Sequence, residues 1–443
     1  MALVAGCASV RLDGGDMRVD EAGAGGRASG IRPATVILLV AAMCLIHIVS
    51  QFLRNSIGVI APDLARDIGL GAAGIGLLSS AFFLGFASAQ IPLGVAIDRW
   101  GPRLAMSVSM AIAVTGVIVF ATASSASLLV LGRVLIGLGC SSFFMGPLTI
   151  YSRWFPPERF SMLVGIQLGF SGLGVLGATA PLALATAAIG WRASFLVVAA
   201  IAALVGVLVY VIARDDPPGG VRTRKSESLR DSIRGLIDVA RVPSFAPVFA
   251  MHFAGYSIFV TMLGLWGGPY LAHVHGYDLK QRGETLLVLA IVNVLASFAW
   301  GPADRLFSSY KRPVLLGAAA TVAALLWLVA VGRPESGALI TWFVLFGLAT
   351  SYTPVVTAHG RSLFPPELVG RGLTLMNLGT MSGVFMLQAA TGAVISLFDA
   401  PGGVYPVDAY RAAFAVEALI LTLAILVYRR ARDPVREAAV RGS

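Results

Sequence analysis

Gly94-Val95-Ala96-Ile97-Asp98-Arg99-Trp100-Gly101-Pro102-Arg103 is a short charged turn set between two long apolar stretches. A variant follows 206 residues later, Gly301-Pro302-Ala303-Asp304-Arg305, with Lys311-Arg312-Pro313 behind it. Other pieces of the chain echo in the same order. Phe155-Pro156-Pro157-Glu158 returns as Phe364-Pro365-Pro366-Glu367, Gln167-Leu168-Gly169 as Asn377-Leu378-Gly379, and Trp191-Arg192-Ala193-Ser194-Phe195 as Tyr410-Arg411-Ala412-Ala413-Phe414, at offsets of 209, 210 and 219. One match of this quality is chance. Four collinear matches predict a duplicated chain of two halves of roughly 200 residues each.

Composition says where such a chain lives. With 57% hydrophobic residues, 13% charged residues and a mean hydropathy of +0.82, it lacks the polar surface a soluble protein of this length needs. Its apolar runs are long enough to cross about 30 Å of hydrocarbon as helix. They are continuous rather than alternating, which excludes a β-barrel. The expected class is an all-α membrane protein. A pI near 9.9 invites a nucleic-acid reading, but the basic residues sit in short loops between spans, which is the pattern of topology. Cys7, Cys44 and Cys140 have neither disulfide nor metal spacing, and no cofactor motif is present, nucleotide-binding loops included. Residues 1–33 are Gly-rich with mixed charge and read as a disordered tail without a cleavable signal.

Twelve spans are expected: 34–60, 73–97, 103–123, 127–150, 161–187, 191–213, 246–272, 283–303, 312–332, 336–359, 370–397 and 409–429. They divide into a six-helix bundle over 34–213, a polar loop over 214–245 that ends in a short amphipathic stretch, a second bundle over 246–430 and a tail over 431–443. With the N-terminus inside, 25 of the 33 Lys and Arg residues fall in inner loops and tails and six in outer loops. That bias predicts cytoplasmic termini and, in a bacterium, the inner membrane. Six spans per half give both halves the same orientation.

The turn Gly94–Arg103 resembles the loop signature between spans two and three of the major facilitator superfamily. Arg133-Val134-Leu135-Ile136-Gly137 resembles its fourth-helix arginine motif. Within the superfamily, Arg54-Asn55-Ser56 with Ile60-Ala61-Pro62-Asp63-Leu64, and Arg153-Trp154-Phe155-Pro156, are similar to the anion:cation symporter branch, whose first helix carries a substrate-binding arginine. That branch places a proton-coupling glutamate seven residues after the fourth-helix arginine, where this chain has Cys140. The resemblance implies that Gly94, Asp98, Arg99, Gly101 and Arg103 form a gate lock that breaks as the transporter opens inward, with Asp304 and Arg305 as a looser copy.

Arg54 and Arg133 carry the strongest chemical signal. An arginine inside a span costs about 2.5–3.5 kcal/mol on insertion scales and normally faces a wet cavity or a partner. Both are expected about 9 Å below the outer interface, with no carboxylate deeper in that half. This suggests a site for a carboxylate or phosphate gripped by paired hydrogen bonds. The competing reading has Arg133 bonding helix-end carbonyls, or either residue snorkelling outward. Gln51, Gln167, Tyr256 and Asn377 are the expected polar contacts around them. Trp266, Tyr270, Asn293, Tyr352 and Gln388 are further path candidates, and Trp266-Gly267-Gly268-Pro269-Tyr270 is expected to break span seven. Gly165/Gly169 and Gly379/Gly383 are expected to pack helices closely. Proton carriers are sought at Asp63, His47 and Glu417, with His252 and His359 behind them.

The function expected is a monomeric secondary transporter, not an enzyme. It moves a small organic anion or amino-acid-like zwitterion by alternating access, with proton symport favoured. An efflux antiporter is the alternative, and Gly177-Ala178-Thr179-Ala180-Pro181 lacks the Gly-Pro pair common in that group. A non-transporting sensor or scaffold is the third reading, and an intact gate loop argues against it.

Overall fold

The structure is a computed structural model that describes residues 33–217, 237–365 and 368–434. The N-terminal tail, most of the central loop with its amphipathic stretch, and the end of the C-terminal tail lie outside the described residues. Among the described residues the ordered elements are helices, as the apolar runs require. Helix α1 (Pro33–Asn55) and helix α2 (Ile57–Ile68) share the first span, followed by α3 (Ala72–Trp100) and α4 (Pro102–Ala121). Helices α5 (Ala126–Cys140) and α6 (Ser142–Trp154) share the fourth, and α7 (Pro157–Gly177) and α8 (Ala180–Ile212) complete the first half. The second half repeats this: α9 (Phe245–Thr261), a π-helical turn (Met262–Trp266), α10 (Gly267–His275), α11 (Leu279–Trp300), the short α12 (Ala303–Leu306), α13 (Lys311–Val331), α14 (Ser336–Thr350), α15 (Thr353–Ser362), α16 (Val369–Ile395) and α17 (Val407–Tyr428).

Eleven stretches of the described chain are apolar and long enough to cross a bilayer. One of them, Met162–Ile212, has 51 residues, about 75 Å of helix. That is more than two thicknesses of the roughly 30 Å hydrocarbon core. Gly190, with φ of 77°, divides it, so eleven stretches accommodate the twelve crossings expected. Below, the face bearing Pro33 and Pro434 is called the terminal face and the opposite one the far face.

Every third span is discontinuous: the first at Ser56, the fourth at Ser141, the seventh at the π-turn and the tenth at Ser351–Tyr352. Side chains explain the first break. Asn55 Nδ2 donates to Gln51 O at 2.8 Å and Ser56 Oγ donates to Leu53 O at 3.1 Å, so polar groups compete for helix carbonyls. The sequence reading took span one as continuous to residue 60. The helix instead stops at Asn55 and restarts to Ile68. In span seven the irregularity lies at Met262–Trp266, just upstream of the glycines singled out.

Glycine sets the helix spacing in a bilayer, where close backbone packing replaces hydrophobic driving force. A Cβ on Gly137 of α5 would lie 2.0 Å from Phe82 O of α3, and one on Gly383 of α16 2.0 Å from Phe253 O of α9. Gly165 meets nothing within 4 Å, so the expectation of close packing there is corrected. The close approach in that span comes from Gly174, whose Cβ would lie 2.1 Å from Ile48 O.

On the terminal face the signature turn is tied to the end of the sixth span. Gly101 has φ of 92°, and a Cβ there would lie 2.2 Å from Asp215 Oδ2, so only glycine fits. The Arg103 amide donates to Asp215 Oδ1 at 2.8 Å, which caps α4, and Arg103 Nε donates to Tyr210 O at 2.8 Å. Arg153 pairs with Asp216 at 3.6 Å. Asp433 does the same work in the second half. It accepts from Ser309 Oγ and, at 3.3 Å each, from the amides of Tyr310 and Lys311 at the start of α13.

Partial burial pushes the Asp433 carboxyl up, but the Ser309 hydroxyl and the two amides outweigh it and hold it below its ordinary value of 3.8. A carboxyl with a depressed folded pKa stabilises the fold above its unfolded pKa, and that contribution is lost as pH falls through the folded value. Asp433→Asn is therefore expected to cost about 1–3 kcal/mol at neutral pH. Its melting temperature should converge on that of the parent below about pH 4. A thermal-melt series across pH in detergent checks this; equal melting temperatures at pH 7 would discount the cap.

Candidate functional site

The broken first and fourth spans bring Arg54 and Arg133 together. Arg54 lies in the last turn of α1 and is 8% exposed; Arg133 lies in α5 and is fully buried. Both guanidinium groups flank the Phe82 ring, Arg54 at 5.9 Å and Arg133 at 5.0 Å from its centroid, and Arg54 also lies 5.1 Å from Phe86. The electron-rich ring faces offset part of the cost of holding cations in a dry interior.

Their partners differ. Arg133 Nη1 donates to Leu53 O at 2.7 Å, the carbonyl that Ser56 also uses at the span-one break. So Arg133 does bond a helix-end carbonyl, and one of its nitrogens is structural. Its Nε and Nη2, which form the opposite edge of the guanidinium fork, are buried without partners. Two parallel N–H groups on one edge match the two oxygens of a carboxylate or similar oxyanion. Arg54 makes one long hydrogen bond, Nη1 to Tyr256 Oη at 3.4 Å, and its Nε is likewise buried and unpartnered. Tyr256 belongs to α9, so this contact spans the two halves.

Polar groups without partners gather near the arginines. Gln51 lies one turn before Arg54, and its Oε1 is buried and unbonded. Gln167 is fully buried with neither amide atom satisfied, and its backbone meets the His47 ring. Cys140 is fully buried beside the Ser50 hydroxyl and within electrostatic range of both arginines. Buried polar atoms are normally bonded, and those left open here are exceptions to that rule. Asn377 is half-buried in α16, and no bond or distance ties it to Arg54.

The remaining candidates scatter. Asp63 is half-buried on the far face and pairs with Arg282 of the other half. Glu417 is fully buried in α17 with both carboxyl oxygens unpartnered. His252 Nδ1 lies 3.4 Å from Thr380 Oγ1, and His359 bonds Tyr428 Oη and Arg432 O. Trp266 and Tyr270 are both buried, with Trp266 Nε1 donating to Thr391 Oγ1 at 2.7 Å and Tyr270 Oη to Gly332 O at 2.8 Å. Asn293 Nδ2 donates to Ser351 Oγ, and the Tyr352 hydroxyl is buried against Met251 Sδ, so these two serve packing within the second half. Gln388 is fully buried with both amide atoms open. Asp98 and Arg99 are exposed on the terminal face, and Asp98 is not without a partner. Asp304 and Arg305 lie in α12.

Sequence reasoning passed over Phe82, Phe86, Arg282, Asp215 and Asp433. The last two had a signal: Ala213-Arg214-Asp215 returns as Ala431-Arg432-Asp433, another echo of the duplication.

The family model of the Major Facilitator Superfamily matches residues 43–332 and 268–442. The chain belongs to that superfamily. This superfamily member is an integral membrane protein of a family of transporters, not of enzymes. Over 291 residues, 62% of this chain and 66% of the relative, it is 27% identical to the probable sulfoacetate transporter SauU of Cupriavidus necator. Over 221 residues, 48% of this chain and 42% of the relative, it is 29% identical to the nitrate/nitrite transporter NrtP of Nostoc punctiforme. The matched stretches therefore span less than two thirds of either relative. The hexuronate transporter of Bacillus subtilis is 22% identical over 397 residues, 80% of this chain and 91% of that one. Among solved structures, a bacterial homolog of the human lysosomal transporter Spinster, inward-facing and unoccupied, superposes with a TM-score of 0.75 at 18% identity over 90% of this chain and 97% of that one. The D-xylose–proton symporter gives 0.72 at 13% identity over 89% and 98%. At such identities the likeness is one of fold.

Proposed function

We propose that this transporter moves a small organic anion across the bacterial inner membrane by alternating access, with both termini cytoplasmic, as a monomer. The observation that carries the reading is the pair of guanidinium groups around Phe82 whose open N–H groups have, among the described residues, no carboxylate partner. The substrate brings the missing negative charge. An oxyanion head, carboxylate or sulfonate, seats on the free edge of Arg133 while Arg54, against the same ring, offers its open Nε. Gln51, Gln167, Tyr256 and Asn377 complete its polar shell. The names of the relatives support this, since sulfoacetate and nitrate are anions.

Symport with a proton is the coupling proposed, with His47, Asp63 and Glu417 as the groups to test. His47 is the one next to Arg54, and the thiol of Cys140 replaces the expected glutamate. The signature turn is proposed to work as the cytoplasmic gate, held through Asp98, Arg99 and Arg103, with Asp304 and Arg305 as its second copy.

The test is uptake into proteoliposomes of labelled carboxylates and sulfonates alongside neutral analogues of equal size, with and without an inward proton gradient. Uptake of an anion and exclusion of its neutral analogue is the expected result. Uptake of the neutral analogue alone would overturn the anion reading. Uptake of the anion at a rate indifferent to the gradient would overturn proton symport.

A further inference from the structure

On the far face the two halves meet through backbone contact and through charge. A Cβ on Gly268 of α10 would lie 1.8 Å from Gly58 O, and one on Gly58 would lie 2.1 Å from Leu263 O. Pro62 has no N–H to give, so the Gly58 carbonyl four residues before it is released from the helix ladder. The second half then packs directly on that carbonyl. Gly76 of α3 and Gly392 of α16 meet in the same way, a Cβ on Gly76 lying 2.9 Å from Gly392 Cα.

Beside this seam stands an ion pair between the halves. Arg282 Nη2 donates to Asp63 Oδ2 at 3.0 Å. The Arg282 side chain is 4% exposed and that of Asp63 21%. The other carboxylate oxygen of Asp63 accepts from Arg66, which is largely exposed, at 3.4 Å. Arg282 Nε donates to Asp278 O at 3.3 Å, and its Nη1 is buried without a partner. A second contact lies nearby. The N-cap of α3 is Gly71, which offers no side chain, and the Ala72 amide donates instead to Tyr405 Oη of the other half at 2.9 Å.

We propose that Asp63 and Arg282 are the ionic lock of the extracellular gate, paired while that side is closed and parted when it opens. A pair held across a seam is suited to this. In the closed state the buried guanidinium needs the carboxylate, because an unpaired buried charge is costly. In the open state water enters and solvates both. The two states thus stay close in free energy, and the pair biases the closed one. Asp63 lies nine residues beyond Arg54, across the break at Ser56. That break is the hinge about which α2 swings while α1 keeps its grip on the substrate. The word extracellular rests on the orientation proposed above; the lock itself does not.

The lock is tested by accessibility, which needs no substrate. A cysteine placed at Val59, a buried residue on the seam, is labelled with a membrane-impermeant maleimide in a full-length background lacking the three native cysteines. A cysteine at Leu397, 82% exposed on the far face, reports which side of the membrane the reagent must come from. Asp63→Asn and Arg282→Gln should each raise the Val59→Cys labelling rate about tenfold or more. The charge-swapped pair Asp63→Arg with Arg282→Asp should return it toward the parent rate. Unchanged labelling in both single variants, in protein that melts as the parent does, would overturn the lock. So would a swapped pair that labels as fast as the single variants.

Discussion

Arg54→Ala is expected to abolish concentrative uptake of the transported anion while leaving the melting temperature close to that of the parent. The two halves of this statement come from one geometry. Arg54 holds the protein together weakly, through one long 3.4 Å hydrogen bond to the Tyr256 hydroxyl and its approach to the Phe82 and Phe86 rings. Its open Nε is free for a ligand. A hydrogen bond to a charged group contributes about 1.5–3 kcal/mol, so losing it should weaken binding by about 10- to 150-fold. Arg54→Lys keeps the charge and loses the planar fork, and should fall between the two. Arg133 is expected to behave differently. Its Nη1 bonds the Leu53 carbonyl at the span-one break, so Arg133→Ala should lower the melting temperature as well as uptake. Uptake kinetics and thermal melts on the same purified variants separate the cases. An Arg54→Ala protein with parental Km for the anion would place the substrate elsewhere.

Gly268→Ala should stop the transport cycle without stopping binding. The new methyl would lie 1.8 Å from Gly58 O, and the obstacle is backbone, which cannot rotate away. Overpacking a tight seam costs about 1–3 kcal/mol or more, paid only in the state where the far face is closed. A penalty confined to one state shifts the balance about tenfold for each 1.4 kcal/mol. Equilibrium binding in detergent should therefore persist while turnover falls by one to two orders of magnitude. Gly58→Ala, with its methyl 2.1 Å from Leu263 O, should act alike. Gly337→Ala, where nothing lies within 4 Å, should be neutral. Normal turnover in Gly268→Ala would show that the seam opens less than alternating access requires.

Much of the architecture was legible in the residues because each signal is local. Apolar length dictates crossings, and a repeated turn betrays duplication. Gly101 could be recognised as a bend from the Gly-Pro pair alone. The turn's role in gating was an inference from family resemblance, and its tie to Asp215 was not visible, because 112 residues separate the partners. The site was legible in part. Buried arginine is rare enough in a span that Arg54 and Arg133 stood out. Phe82 did not, because a phenylalanine in an apolar helix carries no signal until two cations are found against its ring. The sequence offers Asp63 as one proton-carrier candidate among several, and only folding puts Arg282 beside it from 219 positions away.

By itself, then, the sequence determined the all-α membrane class and the two intramembrane cations, since these follow from hydropathy and the cost of charge in hydrocarbon. The tertiary structure alone decided which N–H groups are used up and which remain open, where the halves touch backbone to backbone, and which ion pair crosses the seam. Those depend on helix register and approach between segments far apart in the chain. A shift of one residue along a helix turns each side chain by about 100° and changes all three.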